Sequence, residues 1–300
     1  MSEVIGFIGL GAMGLPMASN LIRKGFSVIA YDIDQEKIKK LAALGAKPGG
    51  SIADTASAAS IVVTILPATE HVEKAVLGQQ GVLQNLKPGS LLLEMSTIDP
   101  HVTDNVQIAC QEKGIGFVDA PVGRLASHAE RGESLFMVGG SVEHVERVQP
   151  LLNAMGTTIH HCGPAGAGIR MKVVNNFMLL VTAQVTAEAI LLGSKFGLSV
   201  ETMKKVTADT TATNGQFQVA FATKCLKGDL NPGFTIDLAH KDISLAMEAA
   251  RELRVGLPVG AAAREMMGIA RGSEYARCDY SAMLDFICGA AGVEPPRLPG

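Results

Sequence analysis

Three hundred residues exceed what one hydrophobic core comfortably serves, so two domains are expected. The 26 Lys and Arg nearly balance 29 Asp and Glu, neither sign forms a block, and aromatic residues make up 4% with no Trp. That pattern excludes nucleic acid and an acidic membrane surface as general electrostatic partners, and leaves little for stacking on bases. Any anion handled by this chain should meet single, placed cations.

The run 4–18 is apolar but has no basic leader and carries four glycines, unlike a signal peptide. No apolar run approaches the roughly 18 residues that span a bilayer. The five cysteines (Cys110, Cys162, Cys225, Cys278, Cys288) include no CxxC pair, which suits neither zinc nor redox chemistry. They fit a reducing compartment, and a cytoplasmic location is expected. His160 and His161 sit side by side in a strand pattern and so face opposite ways, which gives no metal site.

Short runs rich in Val, Ile and Leu recur at 4–8, 27–31, 61–66, 90–95, 116–118, 134–138 and 158–161, with amphipathic stretches such as 17–24 and 36–44 between them. Continuous apolar strands alternating with helices predict a doubly wound, mostly parallel sheet covered on both faces, a Rossmann domain, over 1–164. Beyond about Gly163 the strands stop. Residues 173–192 contain one charge, Glu188, and are too apolar all round for a surface helix. They predict a long buried helix that joins the domains. Further helical patterns at 200–209, 238–253 and 260–271 complete an all-α domain over 165–300. The apolar helix also suggests a homodimer or homotetramer.

The strongest motif is Gly9-Leu10-Gly11-Ala12-Met13-Gly14, after the first strand and opening a helix. The first Gly permits the tight turn, the second lets backbone approach a pyrophosphate, and the third allows close helix–strand packing. The pyrophosphate then meets free N–H groups at a helix start. Asp32 ends the second strand, 21 residues past Gly11, where an acid accepts from the adenosine ribose hydroxyls. It would repel a 2′-phosphate, and Ile33 and Asp34 supply no cation to hold one. The expected cofactor is NAD(H). Three further strand ends, Leu66-Pro67, Ser96-Thr97 and Asp119-Ala120-Pro121, fall where ligands bind such sheets.

Taken together, Gly6-Phe-Ile-Gly-Leu-Gly-Ala-Met-Gly14-Leu-Pro-Met-Ala18, Glu94-Met-Ser-Thr97, Asp119-Ala-Pro-Val122, Gly166-Ala-Gly-Ile-Arg-Met-Lys172-Val-Val-Asn-Asn176 and Asp237-Leu-Ala-His-Lys-Asp242 resemble the β-hydroxyacid dehydrogenase family over nearly the whole chain. Reducing an aldehyde with hydride needs a proton for the developing alkoxide, and a lysine is an apt donor. The resemblance implies Lys172 as acid/base and Asn176, one helical turn on, as its substrate-orienting partner. It also implies that Leu66, Thr97 and Lys241 lie on the cofactor.

One departure stands out. The family pattern Asp-Ala-Pro-Val-Ser-Gly-Gly, whose small residues offer backbone N–H groups to a substrate carboxylate, here reads Asp119-Ala-Pro-Val-Gly123-Arg124-Leu125. A guanidinium fork suits carboxylate, phosphate or sulfonate. The variant resembles the sulfolactaldehyde 3-reductase branch, which reduces a sulfonated three-carbon aldehyde with NADH. In that branch a Ser is expected where Leu179 follows Asn175-Asn176-Phe177-Met178. The implied reaction is 3-sulfolactaldehyde to 2,3-dihydroxypropane-1-sulfonate, with Arg124, Gly123, Asn175, Asn176 and Leu179 around the substrate. Succinic semialdehyde, 3-hydroxyisobutyrate or tartronate semialdehyde are the alternatives. A non-catalytic NAD-binding protein or an imine reductase would have no call for Lys172.

Overall fold

The computed structural model describes residues 3–299. Among the described residues nine strands form one sheet: β1 (Val4–Ile8), β2 (Ser27–Tyr31), β3 (Lys47–Pro48), β4 (Ile61–Thr64), β5 (Leu91–Glu94), β6 (Gly116–Asp119), β7 (Val122–Gly123), β8 (Ser134–Gly139) and β9 (Gly156–Gly163). Their order is β3-β2-β1-β4-β5-β6-β8-β7, with β9 on β8. Neighbours from β3 to β6 are parallel, β8 runs antiparallel to β6 and β7, and β9 is parallel to β8.

The apolar runs are continuous because both faces are covered. Ile5, Phe7, Val63, Leu91, Leu93 and Val118 enter one core cluster, while Ile8, Val62, Leu92 and Phe117 enter another. That alternation is the period of two in a pleated strand. Two expected strands overran their ends: 61–66 stops at Thr64 and 90–95 stops at Glu94. The apolar Leu66 and Met95 belong instead to the strand-end turns. β3 and β7, two residues each, are too short to show a period. The chain reverses its spread between β1 and β4, so their carboxyl ends open the crevice where such sheets take ligands.

The second compact unit is helical. Helix Ala167–Lys195 is longer at both ends than the expected 173–192, and Val200–Ala208, Ile236–Glu252, Pro258–Arg271 and Met283–Ala290 follow. Leu180, Ala183, Ala187 and Ile190 pack in one cluster with Ile243, Met267 and Leu284. The compact units divide at 172/173, eight residues beyond the expected domain boundary of 164/165. The first turns of the long helix are tied to the ends of β6 and β7, as described below, and so count with the sheet.

Contrary to the sequence expectation, helix Ala167–Lys195 is by length and composition apolar enough to cross a membrane, with a mean hydropathy of 1.6 over an 18-residue window. Lys172, Asn176, Gln184 and Thr186 on it are nevertheless buried in protein and hydrogen-bonded there. Such groups are costly against lipid and ordinary in a protein core. Along the same helix Val174, Met178, Val185 and Leu192 form an exposed apolar stripe, each half or more accessible.

Candidate active site

The glycine turn is built as its spacing requires. Gly9 has φ +99°, its N–H donates to the Tyr31 carbonyl (3.0 Å), and a Cβ on it would overlap the Ile65 carbonyl oxygen. A Cβ on Gly14 would overlap the Gly9 carbonyl. A Cβ on Gly11 would meet open space. Two of the glycines thus serve the turn's own packing, and the middle one leaves room for a close approach. Helix Gly14–Arg23 begins at Met13 with no side-chain cap, and Ala12 is exposed beside it.

Asp32 does more than was expected of it. Its Oδ2 accepts from the Leu10 N–H (2.5 Å) and its Oδ1 from the Asp34 N–H (2.8 Å). The carboxylate fastens the glycine turn to the end of β2 while staying half-buried at the crevice. Open space at Gly11, an uncapped helix start and this carboxylate fit a dinucleotide with free ribose hydroxyls.

Across the crevice a buried network fixes the strand-end turns. Glu94 Oε2 accepts from the Thr64 hydroxyl (2.5 Å), Glu94 Oε1 from the Ser96 N–H (2.6 Å), and Ser96 Oγ from the Leu66 N–H (2.8 Å). Leu66 and Thr97, read as cofactor contacts, are half-buried on these turns, and Pro67 is exposed. Burial raises the Glu94 carboxyl to about 7, and the neighbouring Asp119 charge pushes the same way. Asp119 is the register partner of Glu94 on β6, and burial raises it to about 6. Both acids stand in the motifs quoted above, Asp119 also at an expected strand end, but neither carboxyl was given a role from the sequence. The usable signal was a carboxyl closing an apolar strand, Leu91-Leu92-Leu93-Glu94 and Phe117-Val118-Asp119.

Lys172 is 9% exposed, and its ammonium donates to the Val122 carbonyl (2.8 Å), beside buried Gly123. The buried lysine thus sits on the strand-end loop where the resemblance placed the substrate. Arg124, expected to face the substrate's anion, is engaged locally in this structure. Its Nη1 donates to the Glu133 carbonyl (2.6 Å) and the Thr157 hydroxyl (3.2 Å), and its Nη2 to the Thr158 hydroxyl (3.1 Å). The fork is spent on local acceptors beside β8 and β9 rather than presented freely to an anion. Its backbone has φ +70°, a left-handed conformation that costs an L side chain about 1–2 kcal/mol.

In the helical unit, Asn176 Nδ2 donates to Asp242 Oδ2 (2.5 Å), and Asn175 Nδ2 donates to Asn176 Oδ1 (3.0 Å). The Lys241 ammonium lies 2.9 Å from Asp242 Oδ1. Asp242, 4% exposed, therefore orients the Asn176 amide and anchors Lys241 together. Leu179 packs against the helical core.

Residues 4–163 match the NAD-binding domain of 6-phosphogluconate dehydrogenase. Residues 166–287 match the domain described as the NAD-binding of NADP-dependent 3-hydroxyisobutyrate dehydrogenase. The chain is 40% identical to 3-sulfolactaldehyde reductase of Escherichia coli (strain K12), covering 96% of this chain and 97% of that one. It is 38% identical to 2-(hydroxymethyl)glutarate dehydrogenase of Eubacterium barkeri, covering 93% of each. A solved Mycobacterium tuberculosis 3-hydroxyisobutyrate dehydrogenase with L-serine superposes with a TM-score of 0.88 at 32% identity, covering 96% of this chain and 99% of that one.

Proposed function

The chain belongs to the NAD-dependent 3-hydroxyisobutyrate dehydrogenase family, acting on CH–OH donors, and we propose that it reduces a small anionic aldehyde, 3-sulfolactaldehyde, to 2,3-dihydroxypropane-1-sulfonate with NADH. Bound NADH supplies the hydride. Lys172 holds the proton that the aldehyde oxygen takes up as it becomes an alcohol. Asn176, four residues on and on the same helix face, hydrogen-bonds and orients the substrate.

The observation that carries the substrate class is Arg124 itself. A residue in the left-handed region stands where the family pattern has a glycine, and it stands there at a cost. Strain of this kind is kept at sites where the side chain has work to do. The reading requires the guanidinium to leave Glu133, Thr157 and Thr158 for the substrate's sulfonate, exchanging neutral acceptors for a charged one. The similarity to 3-sulfolactaldehyde reductase supports the same choice. Leu179 favours a second reading, a carboxylate-tailed aldehyde such as succinic semialdehyde, because it offers no hydroxyl to a third sulfonate oxygen.

The test is one panel of initial rates with sulfolactaldehyde, succinic semialdehyde, tartronate semialdehyde and neutral propanal, run with NADH and NADPH. Sulfolactaldehyde with NADH should give the highest kcat/KM. Arg124→Gly, which relieves the strained φ, should lose on the order of 2–5 kcal/mol on the anionic substrates and little on propanal. Equal losses on all four would make Arg124 structural, and equal rates with NADPH would remove Asp32 as the arbiter of cofactor.

The reading includes a second copy of the chain covering the stripe Val174, Met178, Val185 and Leu192. Light scattering should give a dimeric or tetrameric mass that Met178→Glu lowers. A monomeric wild type would sink this part.

A further inference from the structure

The end of β6 and the start of the long helix are joined at two points. Asp119 Oδ1 accepts from the Gly166 N–H (2.6 Å) and Asp119 Oδ2 from the Ile169 N–H (2.7 Å). One turn beyond Ile169, the Lys172 ammonium returns to the Val122 carbonyl, three residues past Asp119. The acid is 1% exposed, and two glycines make the space for it. A Cβ on Gly139 would overlap Asp119 Oδ1 and crowd the Ala167 and Gly168 nitrogens, and a Cβ on Gly168 would press on Asp119 Oδ2 and overlap the Met137 carbonyl. A helix of 29 residues does not need a buried carboxylate merely to form. The first turn is held at one rotation and one height, and that sets where the Lys172 side chain leaves the helix.

We propose that Asp119 is a positioning residue that fixes the register of helix Ala167–Lys195 so that Lys172 delivers its proton in place. This rests on the reading of Lys172 as the acid/base. Misplacing a catalytic group by about 1 Å costs on the order of 10²-fold. Asp119→Asn keeps the side chain's shape but turns one oxygen into a donor that faces another N–H, so one of the two ties becomes repulsive.

The test is a double-mutant cycle on kcat, using the full-length enzyme and the preferred aldehyde of the panel. Asp119→Asn in the wild-type background should lower kcat by about 10- to 100-fold, with the NADH dissociation constant by fluorescence titration within about twofold. In the Lys172→Ala background the same substitution should cost nothing further, because the group it positions is gone. Gly139→Ala, which displaces the carboxylate without removing it, should show the same dependence on Lys172 and covers the case in which Asp119→Asn folds poorly. Equal losses with and without Lys172, or an unchanged kcat in both variants, would overturn the proposal. A Lys172→Ala enzyme that keeps wild-type kcat would overturn it by a separate route, by removing the acid/base reading itself.

Discussion

Lys172→Ala is expected to lower kcat by about 10²–10⁴-fold, the usual range for losing a general acid, while NADH binds with near wild-type affinity. The two parts of that result have separate physical sources. The dinucleotide cradle is built from the turn Gly9–Gly14 and from Asp32, which is tied by Leu10 and Asp34. None of these groups touches Lys172 through the hydrogen bonds that define the cradle. The proposed proton donor is a single ammonium, buried and lodged on the Val122 carbonyl. Removing it also leaves that buried carbonyl without this donor, a penalty of about 1–3 kcal/mol. Lys172→Met keeps the aliphatic stem and separates packing from charge. Both variants should lose kcat alike and differ only in thermal stability. If Lys172→Met recovers most of the wild-type rate, the proton comes from another group and the chemistry proposed here is wrong.

Much of the nucleotide half was legible because its signals are local. β1 and β2 fall where their apolar runs are bounded by glycine and by Asp32, and the glycine turn follows from spacing alone. The overrun of β4 and β5 has the opposite cause: Leu66 and Met95 are as apolar as strand residues, while the turns that carry them are tied by Glu94 and its partners. Ser96 is two residues from Glu94, but the other ties span long stretches of chain. Glu94 bonds to Thr64 across 30 residues, and Asp119 bonds to Gly166 and Ile169 across 47 and 50. No periodicity reports such a pair.

Arg124 shows a different limit. Its residue type announced an anion-binding group, but the sequence says nothing of a left-handed φ or of three nearby acceptors. Lys172 and Asn176 were assigned their roles through the resemblance. Their supports, Val122 and Asp242, become visible only once the chain has folded back on itself.

The cradle makes the second large prediction. Gly14→Ala adds one methyl group, and in an exposed helix interior the exchange would be mildly stabilising, by about 0.4–1 kcal/mol. Here the new Cβ would overlap the Gly9 carbonyl and press on the Ile65 side chain. The carbonyl is backbone in the tight turn, and Gly9 already holds a positive φ and a bond to Tyr31. It cannot step aside as a flexible side chain would. Relief must come from lifting helix Gly14–Arg23 off the β1 end, which carries the helix's first N–H groups away from the phosphate position. The NADH dissociation constant should therefore rise by about two orders of magnitude, in keeping with the cost of an angstrom-scale misplacement. Gly11→Ala separates the two glycine roles. Its Cβ enters open space in the protein, so the fold should keep its Tm while NADH binding falls, because the methyl group occupies the ligand's approach. Fluorescence titration of NADH beside thermal melts of both variants decides the matter. A Gly14→Ala enzyme that binds NADH like wild type would show that the turn yields, and a Gly11→Ala enzyme that does so would place the pyrophosphate elsewhere.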